Sequence, residues 1–142
     1  YNTLLNNSTG IYFQNSEFVN IGTGTSVSSN STGIRFYNCT SPTIAAGDSV
    51  LNNSGCGIFY DNCSALGTVD SLVLNDNGGY GAFRFANSGD FTLGNANVFS
   101  NNNWPLTLDA GSFPDSTSYI PTGGNTYNDI RVSSGYGTKT GT

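Results

Sequence analysis

A six-residue phrase, Gly10-Ile11-Tyr12-Phe13-Gln14-Asn15, returns along this chain at nearly constant spacing, and that regularity constrains the fold more than any other feature. The copies are Gly33-Ile34-Arg35-Phe36-Tyr37-Asn38 and Gly57-Ile58-Phe59-Tyr60-Asp61-Asn62. A fourth, Gly81-Ala82-Phe83-Arg84-Phe85-Ala86-Asn87, carries one extra residue, and Trp104-Pro105-Leu106-Thr107-Leu108-Asp109 is a degenerate fifth. Their starting points lie 23, 24, 24 and 23 residues apart. Repeats of this length are single supersecondary units that bury a continuous core only by stacking on their neighbours.

Two more phases travel with the first. Val27, Val50, Leu72 and Val98 each precede an Asn-rich turn, the turns falling at Ser28–Ser31, Leu51–Ser54, Asn75–Gly78 and Ser100–Asn103. A third short apolar segment lies between, at Phe18–Ile21, Pro42–Ile44, Gly67–Val69 and Phe91–Leu93. Three strands and three turns per repeat follow. Strand side chains alternate between faces, so Ile11 and Phe13 share one face while Tyr12 takes the other. With one repeat per turn, equivalent residues stack at the inter-strand spacing of about 4.8 Å. Ile11/Ile34/Ile58 and Phe13/Phe36/Tyr60/Phe85 then form interior ladders. By the same parity Asn15, Asn38, Asn62 and Asn87 fall inward, as an architectural ladder of amides bonding one another and the turn backbone.

The Asn-Asn-Ser-x-x-Gly-Ile-x-Phe-x-Asn stretches and recurring Asn-Asn turns resemble the Asn-rich right-handed parallel β-helix repeat family, related in fold to pectate lyases and phage tailspikes. The resemblance spans about residues 4–110, with a weaker echo at Asn125–Ile130. It implies an all-β, single-stranded right-handed parallel β-helix of about five coils of 22–26 residues, and the handedness comes from the resemblance alone. Residues 1–110 are expected to form the coils. Residues 111–142 are expected to hold an irregular excursion, a partial last coil and a tail of the same domain. For activity the resemblance says little, because such folds host lyases, hydrolases, adhesins and structural surface proteins.

Composition narrows the function classes. The chain has 142 residues, a net charge of −5, no His, and only Arg35, Arg84, Arg131 and Lys139 as cations. That set cannot neutralise a run of phosphates, so no nucleic-acid partner is expected. No apolar run approaches the roughly 18 residues of a membrane-spanning helix, and no membrane insertion is expected. The chain opens on Tyr1, which fits a processed or excised chain. Asn-x-Ser/Thr sequons at Asn6, Asn7, Asn30, Asn38, Asn52 and Asn62 are candidate glycosylation sites for a secreted source. An extracellular, cell-surface or virion-surface location is expected.

No catalytic constellation, cofactor site or metal site is nominated. A polygalacturonase-like enzyme implies an Asn-Thr-Asp motif, an Asp pair, a His and an Arg-Ile-Lys segment, and a lyase-like one implies a carboxylate-built Ca²⁺ site with a basic residue. Asp48 and Asp70 stack if both precede equivalent strand residues, but no third acid is in register for a hard cation. Cys39 and Cys63 follow the Asn ladder 24 residues apart, within reach of a cross-coil disulfide in an oxidising compartment. Cys56 is a small packed thiol.

Tyr12, Tyr37 and Phe59 point outward and form a candidate contact surface for a sugar or a protein. Leu4–Asn7 resembles the end of a coil with no capping helix before it, which fits either neighbouring coils of a longer chain or self-association through an open edge. The function expected is a non-catalytic structural or adhesive extracellular β-helix, including self-assembling fibre or filament components. The alternatives are a C-terminal fragment of a polysaccharide lyase or hydrolase, and a glycan-binding module.

Overall fold

The computed structural model of the chain describes residues 2–109, 111–115, 117–118 and 123–133. The first coil comprises β1 (Asn2–Leu5), β2 (Thr9–Gln14) and β3 (Asn20–Ile21); the second β4 (Thr25–Ser28), β5 (Thr32–Tyr37) and β6 (Thr43–Ile44). The third holds β7 (Ser49–Leu51), β8 (Cys56–Asp61) and β9 (Thr68–Val69), and the fourth β10 (Val73–Asn75), β11 (Gly81–Ala86) and β12 (Thr92–Leu93). β13 (Val98–Ser100) and β14 (Leu106–Asp109) belong to a fifth, and β15 (Ile130–Ser133) lies beyond.

Each strand pairs in parallel with its counterpart one coil away, which makes the molecule a β-solenoid of about five turns. The sheets run β1-β4-β7-β10-β13 and β2-β5-β8-β11-β14-β15, with the short pairs β3-β6 and β9-β12 on the third side.

The interior is one column of stacked side chains. Ile11, Ile34, Ile58, Phe83, Leu106 and Ile130 share a rung position, as do Phe13, Phe36, Tyr60, Phe85 and Leu108. The aromatic rings lie nearly parallel at 5.7, 5.2 and 5.0 Å between centroids, and Phe91 from the third side closes on Phe85 at 3.7 Å. Ile34, Phe36, Ile58, Tyr60 and Phe85 are fully buried, while Ile11 and Phe13 at the first coil are half-buried. Tyr60 is the one polar member, and its hydroxyl has no hydrogen-bond partner. Tyr60→Phe is therefore expected to raise stability by about 1 kcal/mol by removing an unsatisfied buried group, read as a higher thermal midpoint.

The structure departs from the simple repeat in two places. Val27 and Val50 stack on Leu74 and Phe99, not on Leu72 and Val98. Val98 is exposed, because a one-residue shift in a strand reverses its face. The extra residue of the fourth coil lies in its turn rather than its strand: Phe83 is opposite Ile58 and Gly81 opposite Cys56, so Ala82 takes the place of the repeat glycine.

That glycine marks the corner between two sheets. A Cβ on Gly33 would sit 2.5 Å from the Gly57 carbonyl oxygen, 2.7 Å from Val50 and 2.9 Å from the Asn53 amide. At Gly33 a side chain would force the corners of successive coils apart, whereas the fourth coil, with its longer turn, carries Ala82 there.

Candidate contact surfaces and the polar columns

The strand-end asparagines do not point inward. Asn15, Asn38, Asn62 and Asn87 adopt left-handed backbone (φ 52°, 53°, 56° and 47°), which ends the strand alternation and turns their side chains to solvent. A ladder of amides does form there, but on the surface: Asn38 Nδ2 donates to Asn15 Oδ1 at 3.1 Å and Asn62 Nδ2 to Asn38 Oδ1 at 2.7 Å. At Asn87 the main-chain N–H donates to the Asp109 carboxylate.

The buried ladder belongs instead to the other turn, at Asn30, Asn53, Asn77 and Asn102. Each Oδ1 from Asn53 onward accepts both the main-chain N–H and the Nδ2 of the Asn one coil earlier. Each Nδ2 also reaches a strand carbonyl of the preceding coil: Leu4, Val27, Val50 and Leu74. Asn125 extends the series by accepting from Asn102. Its sequence signal was present in the recurring Asn-rich turns.

This bears on the sequons. Asn6, Asn7, Asn38, Asn52 and Asn62 are exposed, whereas Asn30 is buried with its amide bonded into the column and is inaccessible in the folded coil.

Beyond the strand-end turn the chain points inward again, at Cys39 and Cys63. They occupy successive coils, as the paired main chains of Thr40 and Ser64 require, but no bridge joins them. Each is a free thiol directed at main-chain carbonyls, Cys39 at Phe13 and Tyr37, Cys63 at Phe36 and Asp61. Ser88 and Ser112 continue this column with hydroxyls that accept main-chain N–H groups. Burial raises the Cys63 thiol and pushes Cys56 up to about 12, so neither is a nucleophile at neutral pH.

Asp48 and Asp70 do not stack. Ser49 pairs with Val73, which puts Asp48 opposite Leu72, while Asp70 accepts the Ala96 N–H. Asp48 is fully buried, its Oδ1 accepting the Thr25 N–H at 2.8 Å and its Oδ2 without a partner. Two coils on, Asn97 fills the same column: its Oδ1 accepts from Leu72, and its Nδ2 donates to the Val69 and Gly94 carbonyls.

Burial raises the Asp48 carboxyl above its ordinary 3.8, opposed by the Thr25 and Gly24 N–H groups. A raised folded pKa means folding favours the protonated form. That stabilisation is complete below the unfolded pKa and is lost as pH climbs through the folded one. Asp48→Asn is expected to raise stability at neutral pH by about 1 kcal/mol and to flatten the dependence above pH 3.8. Thermal melts at several pH values check both.

The outward face of the six-stranded sheet gathers the cations. Its central rung position reads Tyr12, Arg35, Phe59, Arg84, Thr107, Arg131 from β2 to β15. Phe59 lies between two guanidiniums, at 5.1 Å from Arg35 and 4.3 Å from Arg84. Arg35 also faces the rings of Tyr12 and Tyr37, both at 5.6 Å. Arg84 covers Tyr80 at 3.9 Å, and Arg131 lies 5.3 Å from Tyr80 and 5.7 Å from Trp104. Trp104 stacks in turn on Tyr127 at 4.3 Å.

Of the three outward aromatics nominated as a contact surface, Tyr12 is exposed and Tyr37 half-buried. Phe59 is buried at 8% exposure, sheltered by the arginines and by Cys56, Ala86 and Tyr80. Strand alternation puts Tyr12, Arg35 and Phe59 on one face of the sheet. It could not show that cations and rings alternate along it, because that depends on register between coils.

An open cavity of ≈490 Å³ lies at the first coil, lined among others by Leu4, Ile11, Phe13 and Ile21. Lys139 and the expected tail from residue 134 onward lie outside the described residues. Comparison with family models, with curated proteins and with solved structures finds no match to this chain.

Proposed function

We propose that this solenoid is a structural or adhesive component of an extracellular surface, holding a partner against the outer face of its six-stranded sheet without transforming it. The observation carrying this is the division of labour among its polar groups. The buried Asn column, the Cys/Ser column and Asp48 are all committed to main-chain groups of neighbouring coils. The outer face instead keeps Arg84 and Arg131 in aromatic beds, with no carboxylate in ion-pair range among the described residues. A right-handed sense and kinship with pectate-lyase-like and tailspike-like helices belong to the same proposal.

The competing reading is a fragment of a polysaccharide lyase or hydrolase. Incubation of the purified chain with acidic polysaccharides, with and without Ca²⁺, separates the two. Polymer length is expected to stay unchanged in both conditions. Shortened polymer produced by this chain alone would end the adhesive reading.

A further inference from the structure

Three of the four cations in an acidic chain occupy a single column of one sheet, on every second rung: Arg35 on β5, Arg84 on β11 and Arg131 on β15. Two rungs of a parallel sheet are about 9.6 Å. The three arginine positions therefore repeat at about that interval along the solenoid axis, Phe59 lying within reach of the first two guanidiniums and Tyr80 of the last two. Each guanidinium is held over at least two rings, which fixes its plane in advance of any ligand. Arg35 gives one amino group to Asp61 at 2.6 Å, and its Nε is buried without a partner. Beside the row, Tyr12 and Tyr127 are exposed, and Trp104 is half-buried.

A partner fitting this surface carries single anionic groups at a spacing near 10 Å, with flat, partly apolar units between them to lie on the rings. We propose that it is a linear polysaccharide with an acidic group on every second sugar, running along the coil axis. Arg84 and Arg131 each take one carboxylate or sulfate in a forked pair of hydrogen bonds, Arg35 being already paired with Asp61, and the C–H faces of the intervening sugars rest on the aromatics. Two pyranose units match the two-rung interval.

Charge density argues against nucleic acid. A duplex carries one charge per about 1.7 Å of axis, and a chain of net charge −5 with three aligned cations repels such a polymer more than it neutralises it. A polymer with one charge per two sugars meets the row without that excess. This inference rests on the adhesive reading of the same face and names its ligand.

Trp104 is the sole tryptophan of the chain and stands on this face, so its fluorescence reports binding. Wild-type protein is titrated with hyaluronan, in which glucuronate alternates with a neutral amino sugar, with polygalacturonate, acidic at every sugar, and with neutral dextran. Hyaluronan is expected to give a saturable change that weakens with added salt, and dextran none. Arg84→Gln is expected to weaken hyaluronan binding at least tenfold with an unchanged circular dichroism spectrum. Arg84→Lys should restore it only in part, because the fork is lost. If Arg84→Gln fails to fold, Arg131→Gln carries the test.

Unchanged affinity in a folded arginine variant would overturn the proposal, as would tighter binding of polygalacturonate than of hyaluronan. Equal binding of dextran and hyaluronan, weakened alike by Tyr12→Ala, would remove the acidic ligand and leave the face as a contact surface. Failure of all three polymers to bind would overturn this ligand class alone, since the adhesive reading is tested separately by the unchanged polymer length.

Discussion

Asn77→Ala should lower the stability of the solenoid by about 3 kcal/mol or more, a large effect for the loss of one polar side chain. Asn77 is 1% exposed, and its amide serves four groups at once. Oδ1 accepts from the main-chain N and the Nδ2 of Asn53 at 3.2 and 3.0 Å. Nδ2 donates to the Val50 carbonyl at 2.9 Å and to Asn102 Oδ1 at 3.0 Å. Truncation leaves the Asn53 main-chain N–H buried without an acceptor and its Nδ2 with only the Val27 carbonyl at 3.4 Å, and each orphaned group costs about 1–3 kcal/mol. The exposed column gives the control. Asn62→Gly keeps the left-handed backbone and removes only a solvent-facing bond, so a change under about 1 kcal/mol is expected. Urea unfolding midpoints of the two variants should therefore separate widely.

Phe85→Ala is the second large effect, expected at about 3–5 kcal/mol. Its ring is fully buried where two stacks meet, 5.0 Å from Tyr60 along the sheet and 3.7 Å from Phe91 on the third side. Phe83 lies against it at 5.8 Å. Successive coils are tied by main-chain hydrogen bonds, so the cavity cannot close by bringing rungs together. Phe13→Ala, at the half-buried end of the same stack, removes an equal volume from a site solvent already reaches. It should cost less than half as much in the same unfolding measurement.

The two stacks explain what the amino-acid sequence discloses and what it withholds. Ile34/Ile58 and Phe36/Tyr60 are legible because a 23- to 24-residue period and strand alternation leave a single way to superimpose them. Phe91 over Phe85 is not legible, since it joins different sides of the coil and depends on the turn between. The two asparagine columns fail for a related reason. Alternation assigns Asn15, Asn38, Asn62 and Asn87 to the interior, but a left-handed residue breaks alternation where it stands. Asn30, Asn53, Asn77 and Asn102 sit in turns, where alternation gives no direction at all.

Register errors have the same origin. Leu72 and Val98 follow the same kind of step as Val27 and Val50, yet insertions elsewhere in the coil move Leu74 and Phe99 into that column. On the outer face, Arg35 and Arg84 lie on strands two coils apart. Only with β8 seated between β5 and β11 does Phe59 become the ring they share. Pairing of Asp48 with Asp70 dissolves for the opposite reason, since residues similar in sequence context are opposite different partners.

The coils are pinned from inside by the turn asparagines. Hydrogen exchange of assigned Asn side-chain amides, followed by NMR on the intact chain, tests this most directly. The Nδ2 protons of Asn53, Asn77 and Asn102, each bonded within a buried column, should be strongly protected. Those of Asn15, Asn38 and Asn62 should exchange at rates near those of free amides. Protection of the strand-end set, or equal exchange in both, would contradict the stacking described.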